Sequence, residues 1–180
     1  MCYRIKIVAF IIITFTCCTN KISTQEKFVK KNRYTNFSIF KNWEIEPRDR
    51  SQSTAFLMKY ITPFSSDTNN DKISLLVYAQ IYSSDSNIYN TSITDINKYR
   101  FCKKHCISFE DFNKYIDSVF SQFMKLNINS ISGRNGIYMI NIDENVKLLK
   151  YDAVQSDSVL LRLHTLGYEK ITPEWYYRIQ

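Results

Sequence analysis

The sequence contains few glycines and prolines, the residues that shape loops. It also contains few histidines, the most frequent catalytic acid or base. Of its 180 residues, 3 are glycine, 3 are proline and 2 are histidine. The low glycine and proline content excludes a collagen-like or low-complexity chain. There is no glycine-rich phosphate loop and no nucleophile elbow, and neither histidine has a sequence partner that would define a base and its orienting group. We therefore predict a protein that is not an enzyme and uses no cofactor.

The apolar run at the start of the chain is too short to cross a bilayer comfortably, since a spanning helix needs about 20 apolar residues. Residues 7–16 (IVAFIIITFT) follow Arg4 and Lys6 and end directly before Cys17 and Cys18. This is the layout of a secretory signal. A cysteine after the run resembles a bacterial lipoprotein signal, in which that cysteine is diacylated, although the preceding triplets depart from the usual pattern. We predict lipidation at Cys17 or Cys18, with an uncleaved anchor or a buried strand as the alternatives.

Three segments follow from this leader. We predict a lipoprotein-type signal peptide at residues 1–17, a polar tether at 18–35 and one domain at 36–180, exported and membrane-anchored on the periplasmic or outer surface of the cell envelope. A group of cations in and near the tether could favour an anionic membrane, or could simply be solvated: Lys21, Lys27, Lys30, Lys31 and Arg33. Nothing in the domain combines a basic face with interleaved aromatics, so we predict no nucleic-acid partner.

The most strongly patterned stretch is residues 108–127 (SFEDFNKYIDSVFSQFMKLN). Apolar residues recur there at spacings of three and four, which places them on one helical face: Phe109, Phe112, Ile116, Val119, Phe120 and Phe123. Ser108 and Asp111 approximate a capping box. Such a helix must bury its aromatic stripe against a sheet or another helix.

Strands are predicted on both sides of that helix. Residues 73–82 alternate apolar and mixed positions, the period of a strand with one buried face. Shorter extended pieces are predicted at 37–40, 43–45 and 55–61, and an antiparallel meander at 130–143, 146–154 and 158–168. Residues 47–54 and 83–92 are predicted loops, 93–106 a basic connection, and Thr172, Pro173 and Glu174 the start of a short C-terminal helix. The fold class is α+β: an antiparallel sheet with a long central amphipathic helix packed on it and a short C-terminal helix.

Four short stretches mark this order of elements: NWEI at 42–45, FLMKYITP at 56–63, ISLLVYAQIY at 73–82 and SGRNG at 132–136. Together they resemble the PsbP/Mog1-like α/β sandwich. The resemblance implies an antiparallel sheet with flanking helices and a binding or accessory role, and it offers no catalytic motif. We therefore expect a lipid-anchored cell-envelope protein whose partner is an unknown envelope protein or a small ligand.

One cluster of candidate ligands precedes the patterned helix. In RFCKKHC, the residues Cys102, His105 and Cys106 stand at offsets that one helical face could present to a metal. A closed zinc site needs a fourth ligand, and the other histidine, His164, is predicted on a strand. The competing interpretations are a disulfide between Cys102 and Cys106, expected in an oxidising compartment, and free buried thiols. A metal-handling or thiol-redox role is therefore the alternative function.

Overall fold

The computed structural model describes residues 23–49, 52–62, 73–82, 85–92 and 95–179. The predicted signal peptide at 1–17, both candidate lipidation sites, Cys17 and Cys18, and the first part of the predicted tether lie outside this range. Among the described residues, no helix has the length and apolar character needed to cross a bilayer.

The described chain forms helices and a single sheet. The α-helices are α1 (Thr24–Lys31), α2 (Asp95–His105), α3 (Phe112–Leu126) and α4 (Asp157–Thr165), with a short 3₁₀ helix at Phe37–Phe40. The strands are β1 (Trp43–Asp49), β2 (Gln52–Ile61), β3 (Ser74–Tyr82), β4 (Asp85–Ser92), β5 (Ser130–Arg134), β6 (Ile137–Asn141), β7 (Val146–Tyr151), β8 (Glu169–Thr172) and β9 (Trp175–Ile179). The predicted α+β class with an antiparallel sheet is confirmed.

The sheet joins two runs of neighbouring strands. Its order is β4-β3-β2-β1-β5-β6-β7-β9-β8, and each of these pairings is antiparallel. Strand β1 lies near the centre of the sheet and joins the two runs, because it pairs with β2 on one side and with β5 on the other. Helices α2 and α3 carry the chain from the outer strand β4 back to this centre.

One face of the sheet holds the main core, beneath α1, the 3₁₀ helix, α2 and α3. Phe56 of β2 makes edge-on ring contacts with Phe120 and Phe123 of α3, at centroid distances of 5.6 and 5.3 Å. Burying a phenylalanine side chain stabilises a fold by about 1.5–3 kcal/mol, so these contacts hold α3 on the strand. The largest fully buried side chains of this core include Trp43, Tyr60, Tyr138, Phe101, Phe112 and Ile45.

The patterned helix is shorter than predicted and does not cover the sheet alone. It begins at Phe112 and has 15 residues, and it ends where Asn127 adopts a left-handed conformation with φ of 53°. Ser108 and Asp111 do exchange hydrogen bonds, but in the turn that precedes the helix. Phe109 therefore lies outside the buried stripe and is 49% exposed, with the Lys98 ammonium 3.7 Å from its ring centroid.

The predicted tether contains helix α1, which is capped by Ser23. Ser23 and Glu26 form a complete capping box at the start of α1. Phe28 and Val29 of this helix are buried in the main core, and the Phe28 ring meets Trp175 of β9 at 6.1 Å. Residues 24–35 therefore belong to the domain, and the predicted domain start at residue 36 is too late.

Several local predictions are wrong because tertiary pairing or packing overrides a short pattern. The extended piece predicted at 37–40 is the 3₁₀ helix, the predicted loops at 47–54 and 83–92 lie largely within strands β1, β2 and β4, and the basic connection at 93–106 contains α2. The predicted C-terminal helix is instead the hairpin of β8 and β9, because Trp175–Ile179 pairs with β7.

The predicted strand at 158–168 is helix α4, which creates a second, smaller core on the other face of the sheet. Leu163 of α4 is buried there with Leu149 and Tyr151 of β7 and Tyr176 of β9. These strand residues point away from the main core, because side chains alternate between the two faces of a sheet. Helix α4 thus covers only the β7–β9 end of this second face.

Candidate functional site

The part of the second face beyond α4 carries mainly polar side chains along β1 and β5 and is the first candidate site. We call it the open face and define it by Glu44 and Glu46 of β1, Lys59 of β2, Ser132 of β5 and Met139 of β6. Register places Lys59, Glu44, Ser132 and Met139 side by side on successive strands. Among the described residues, no helix packs over these positions, and Met139 is 47% exposed.

A depression of about 150 Å³ lies at the centre of the open face. Its polar lining comes from four strands: Glu44, Glu46, Ser130, Ser132, Asn141 and Lys147. Sites for whole drug-sized ligands are larger, about 300–1,000 Å³. The depression therefore fits one polar group of a partner, or a very small ligand.

The two acids of the depression are already paired. Glu46 accepts a hydrogen bond from the Lys59 ammonium at 2.5 Å, and this bond raises the Lys59 pKa. Glu44 lies 3.6 Å from the Arg134 guanidinium. Lys147 has no ion pair within the described part of the chain, and the Asn141 amide donates to the Ser130 hydroxyl at 2.6 Å. Paired acids beside an unpaired ammonium favour a ligand group with acceptor oxygens.

The predicted cluster of Cys102, His105 and Cys106 is not gathered into one site. Cys102 is buried in the main core, whereas Cys106 follows the end of α2 with a positive φ of 54° and is exposed. Both are free thiols. The described residues include no group of three histidine, cysteine or acidic side chains placed to hold a metal. The spacing predicted that all three side chains lie on one face of a helix. Helix α2 ends at His105, so Cys106 is not part of that face.

His105 is instead placed among aromatic rings at the end of α2. Its Nε2 atom lies 3.0 Å from the Tyr60 hydroxyl, and its Nδ1 atom lies 3.4 Å from the Tyr115 hydroxyl. The Phe101 ring lies 4.3 Å from the imidazole, centroid to centroid. A neutral imidazole has one donor and one acceptor nitrogen, so the two hydroxyls take opposite roles.

The pKa values of this cluster keep its members neutral near pH 7. Burial lowers the pKa of His105, and the charge of Lys104 lowers it further. Burial raises the pKa of Tyr60 and of Tyr115. Burial also raises the pKa of the Cys102 thiol, which reduces its reactivity. The cluster is therefore suited to holding elements together, since neither the histidine nor the thiol is activated.

Two buried polar atoms beside this cluster have no hydrogen-bond partner within the described part of the chain: the side-chain oxygen of Asn42 and the indole nitrogen of Trp43. Asn42 adopts a positive φ of 68° at the start of β1. These atoms lie inside an aromatic core and not in the depression of the open face.

The second histidine is far from this cluster in the fold. His164 lies on α4 and is exposed, whereas Cys102 and His105 lie on α2 and Cys106 directly follows that helix. The residues of the open face were not singled out from the sequence. Their signal was the alternation of Glu44, Ile45 and Glu46, which places both acids on one side of a strand.

No protein-family model, no curated protein and no solved structure matches this chain. The resemblance to a PsbP/Mog1-like domain therefore stays a prediction.

Proposed function

We propose that this chain is an exported, lipid-anchored cell-envelope protein that binds a partner or a small polar ligand and has no catalytic activity. The observation that carries the binding role is the depression on the open face. Its polar groups come from four strands of one sheet, so they are held by a rigid backbone. A surface of this kind supports recognition without any chemistry.

The non-catalytic part of the proposal is supported by the state of the candidate catalytic groups. Both ring nitrogens of His105 are engaged by tyrosine hydroxyls, and no carboxylate is among those contacts. The acids of the depression are paired with Lys59 and Arg134. A general base needs a free acceptor near pH 7, and these groups do not supply one.

We also propose that α3 acts as a scaffold that fixes the strands of the open face. Its aromatic stripe packs against β2 on the opposite side of the sheet from the open face, through Phe120 and Phe123. Packing on that side fixes the strand positions that set the spacing of Lys59, Glu44 and Ser132. Binding on one face would then depend on a helix that never contacts the ligand.

The anchor is tested by mass spectrometry of the full-length protein purified from membranes. We expect a mature protein that starts at Cys17 or Cys18 and carries a diacylglyceryl mass, and loss of that mass when the processed cysteine is changed to serine. Cys106→Ser is the matched control, because it also replaces one cysteine by serine but should leave the acyl mass unchanged. A full-length protein with an intact leader and no acyl mass would contradict the anchor.

The binding face is tested by site-specific photo-crosslinking in the cell of origin. A photoreactive residue at Ser132 reports on the open face, and one at Lys103, on the exposed side of α2, is the control. We expect a defined adduct from position 132 that is weakened by Glu44→Lys and is absent from position 103. Equal labelling from both positions, or none from position 132, would contradict a binding role for the open face.

A thiol-redox or metal-handling role is the second candidate, and the exposed thiol of Cys106 next to His105 is the observation that favours it. Thiol titration with and without reductant, followed by copper and zinc binding, tests this role. Metal uptake that is unchanged in Cys102→Ser and Cys106→Ser would exclude these cysteines as ligands. Loss of uptake in both variants would favour the metal role over the binding role.

A further inference from the structure

The exposed side of α1 and the turn after it carry a basic patch. We define the patch by its four cations: Lys27, Lys30, Lys31 and Arg33, all of them exposed. Spacings of three and four put the lysines on one side of the helix, opposite the buried Phe28 and Val29.

The patch has a fixed orientation relative to the domain. The Phe28 ring packs edge-on against Trp175, and the buried Asn32 donates from its amide to the Phe28 carbonyl oxygen at 3.0 Å. The Thr35 hydroxyl donates in turn to the Asn32 side-chain oxygen. Because α1 is held on the domain in this way, the cations face solvent as a unit and not as part of a free tether.

An aromatic side chain extends the patch. Tyr34 is 91% exposed, and the Arg33 guanidinium lies 5.6 Å from the centroid of its ring. Cations beside an exposed tyrosine are typical of surfaces that meet phospholipid headgroups, where the ring sits at the interface and the charges meet phosphates. The acid of α1, Glu26, does not neutralise the patch, because its carboxylate is used in the capping box with Ser23.

We propose that the basic patch and Tyr34 rest on an anionic phospholipid surface and so orient the domain on its membrane. This inference rests on the lipid anchor proposed above. Four residues lie between Cys18 and Ser23, so an extended chain separates their Cα atoms by at most about 18 Å. None of the four cations forms an ion pair within the described residues. A lipid on Cys17 or Cys18 would therefore let the unpaired cations reach the headgroups, where attraction acts once the charges lie within the Debye length of about 8 Å.

The test is amine labelling of the acylated full-length protein in vesicles. Phosphatidylcholine vesicles are compared with vesicles that also contain phosphatidylglycerol, and modification of each lysine is read by peptide mass spectrometry. We expect several-fold protection of Lys27, Lys30 and Lys31 in the anionic vesicles only, reversed by high salt. Lys103 and Lys104, at the end of α2, are internal controls whose labelling should not change.

A pair of matched variants separates contact by the patch from general attraction of a basic protein. Lys27→Ala/Lys31→Ala should abolish the protection of Lys30, whereas Lys103→Ala/Lys104→Ala, which removes the same charge, should leave it intact. Equal labelling in both vesicle types, with the acyl mass present, would overturn the basic patch alone. A sample without acyl mass would overturn the anchor and this inference with it.

Discussion

The Nε2 atom of His105 lies 3.0 Å from the hydroxyl of Tyr60, and this contact joins α2 to β2 across 45 positions of sequence. The Tyr115 hydroxyl approaches the other ring nitrogen from α3. One imidazole therefore links both helices that return the chain from β4 to β5. It is a polar group beside a core that is built mainly from aromatic and aliphatic side chains.

Stability should depend on pH through this histidine. Its pKa is lowered in the folded state, so the unfolded chain binds a proton first as pH falls below about 6.5. The free energy of unfolding contributed by His105 is fully present above that pH and decreases as pH falls toward the folded pKa. Denaturant unfolding at several pH values should show this decrease, and His105→Gln should reduce it. His164→Gln, at the exposed histidine, is the control and should keep the decrease unchanged.

The aromatic stripe of α3 should account for a large part of the stability. Phe120→Ala removes a fully buried ring that contacts Phe56, and we expect a loss of about 3–5 kcal/mol in the free energy of unfolding. Phe109→Ala is the control, because Phe109 is half exposed and we expect a loss below about 1 kcal/mol. Similar losses in urea unfolding for the two variants would contradict the packing described for α3.

Gly133 should tolerate no side chain. A Cβ atom there would lie 2.2 Å from the Phe40 carbonyl oxygen, which is backbone and cannot move aside. We expect Gly133→Ala to destabilise the protein by about 3 kcal/mol, measured by thermal unfolding. Ser132→Ala, one residue earlier on the open face, should change stability by less than about 0.5 kcal/mol. A neutral Gly133→Ala would mean that the 3₁₀ helix does not pack on β5.

The two described cysteines should differ in reactivity. Cys106 is exposed, whereas Cys102 is buried and burial raises its thiol pKa. We expect brief treatment with a thiol reagent to modify Cys106 in the folded protein, and Cys102 only after unfolding, as read by peptide mass spectrometry. Cys106→Ser should remove the fast-reacting site in this region. A disulfide between the two residues would appear as protection of both until reductant is added, contrary to this expectation.

Sequence patterns predicted the elements whose faces differ strongly in polarity. Strand β3 was predicted from alternation, and α3 from its apolar spacing, because one buried face imposes its period on the residues. The sequence predicts an interrupted extended segment at 130–143, and the structure forms the hairpin of β5 and β6 there. Its turn is at Asn135 and Gly136, both with positive φ. Gly133 is required because a Cβ atom at this position would clash with the Phe40 backbone.

Other elements could not be separated by local pattern. The residues of α4 satisfy both a strand period and a helix period, and packing of Leu163 on Tyr151 and Tyr176 decides for the helix. Thr172 followed by Pro173 favours a helix start. The segment from Trp175 is nevertheless a strand, because it pairs with β7. A short apolar segment adopts the structure that lets it pair or pack with its neighbours in the fold. Those neighbours are distant in sequence, so the local pattern does not identify them.

The sequence by itself determined the basic and apolar start, the two adjacent cysteines that make lipidation a prediction, the amphipathic helix and the alternating strand. These features depend on composition and on the spacing of near neighbours. Only the tertiary structure decided that α1 belongs to the domain with its lysines on one exposed side. It also decided that Cys102 is buried while Cys106 is exposed after the end of α2. It further decided that α4 leaves the open face of the sheet uncovered. Each of these outcomes depends on which distant residues cover a given face, and burial of apolar surface, not local spacing, makes that choice.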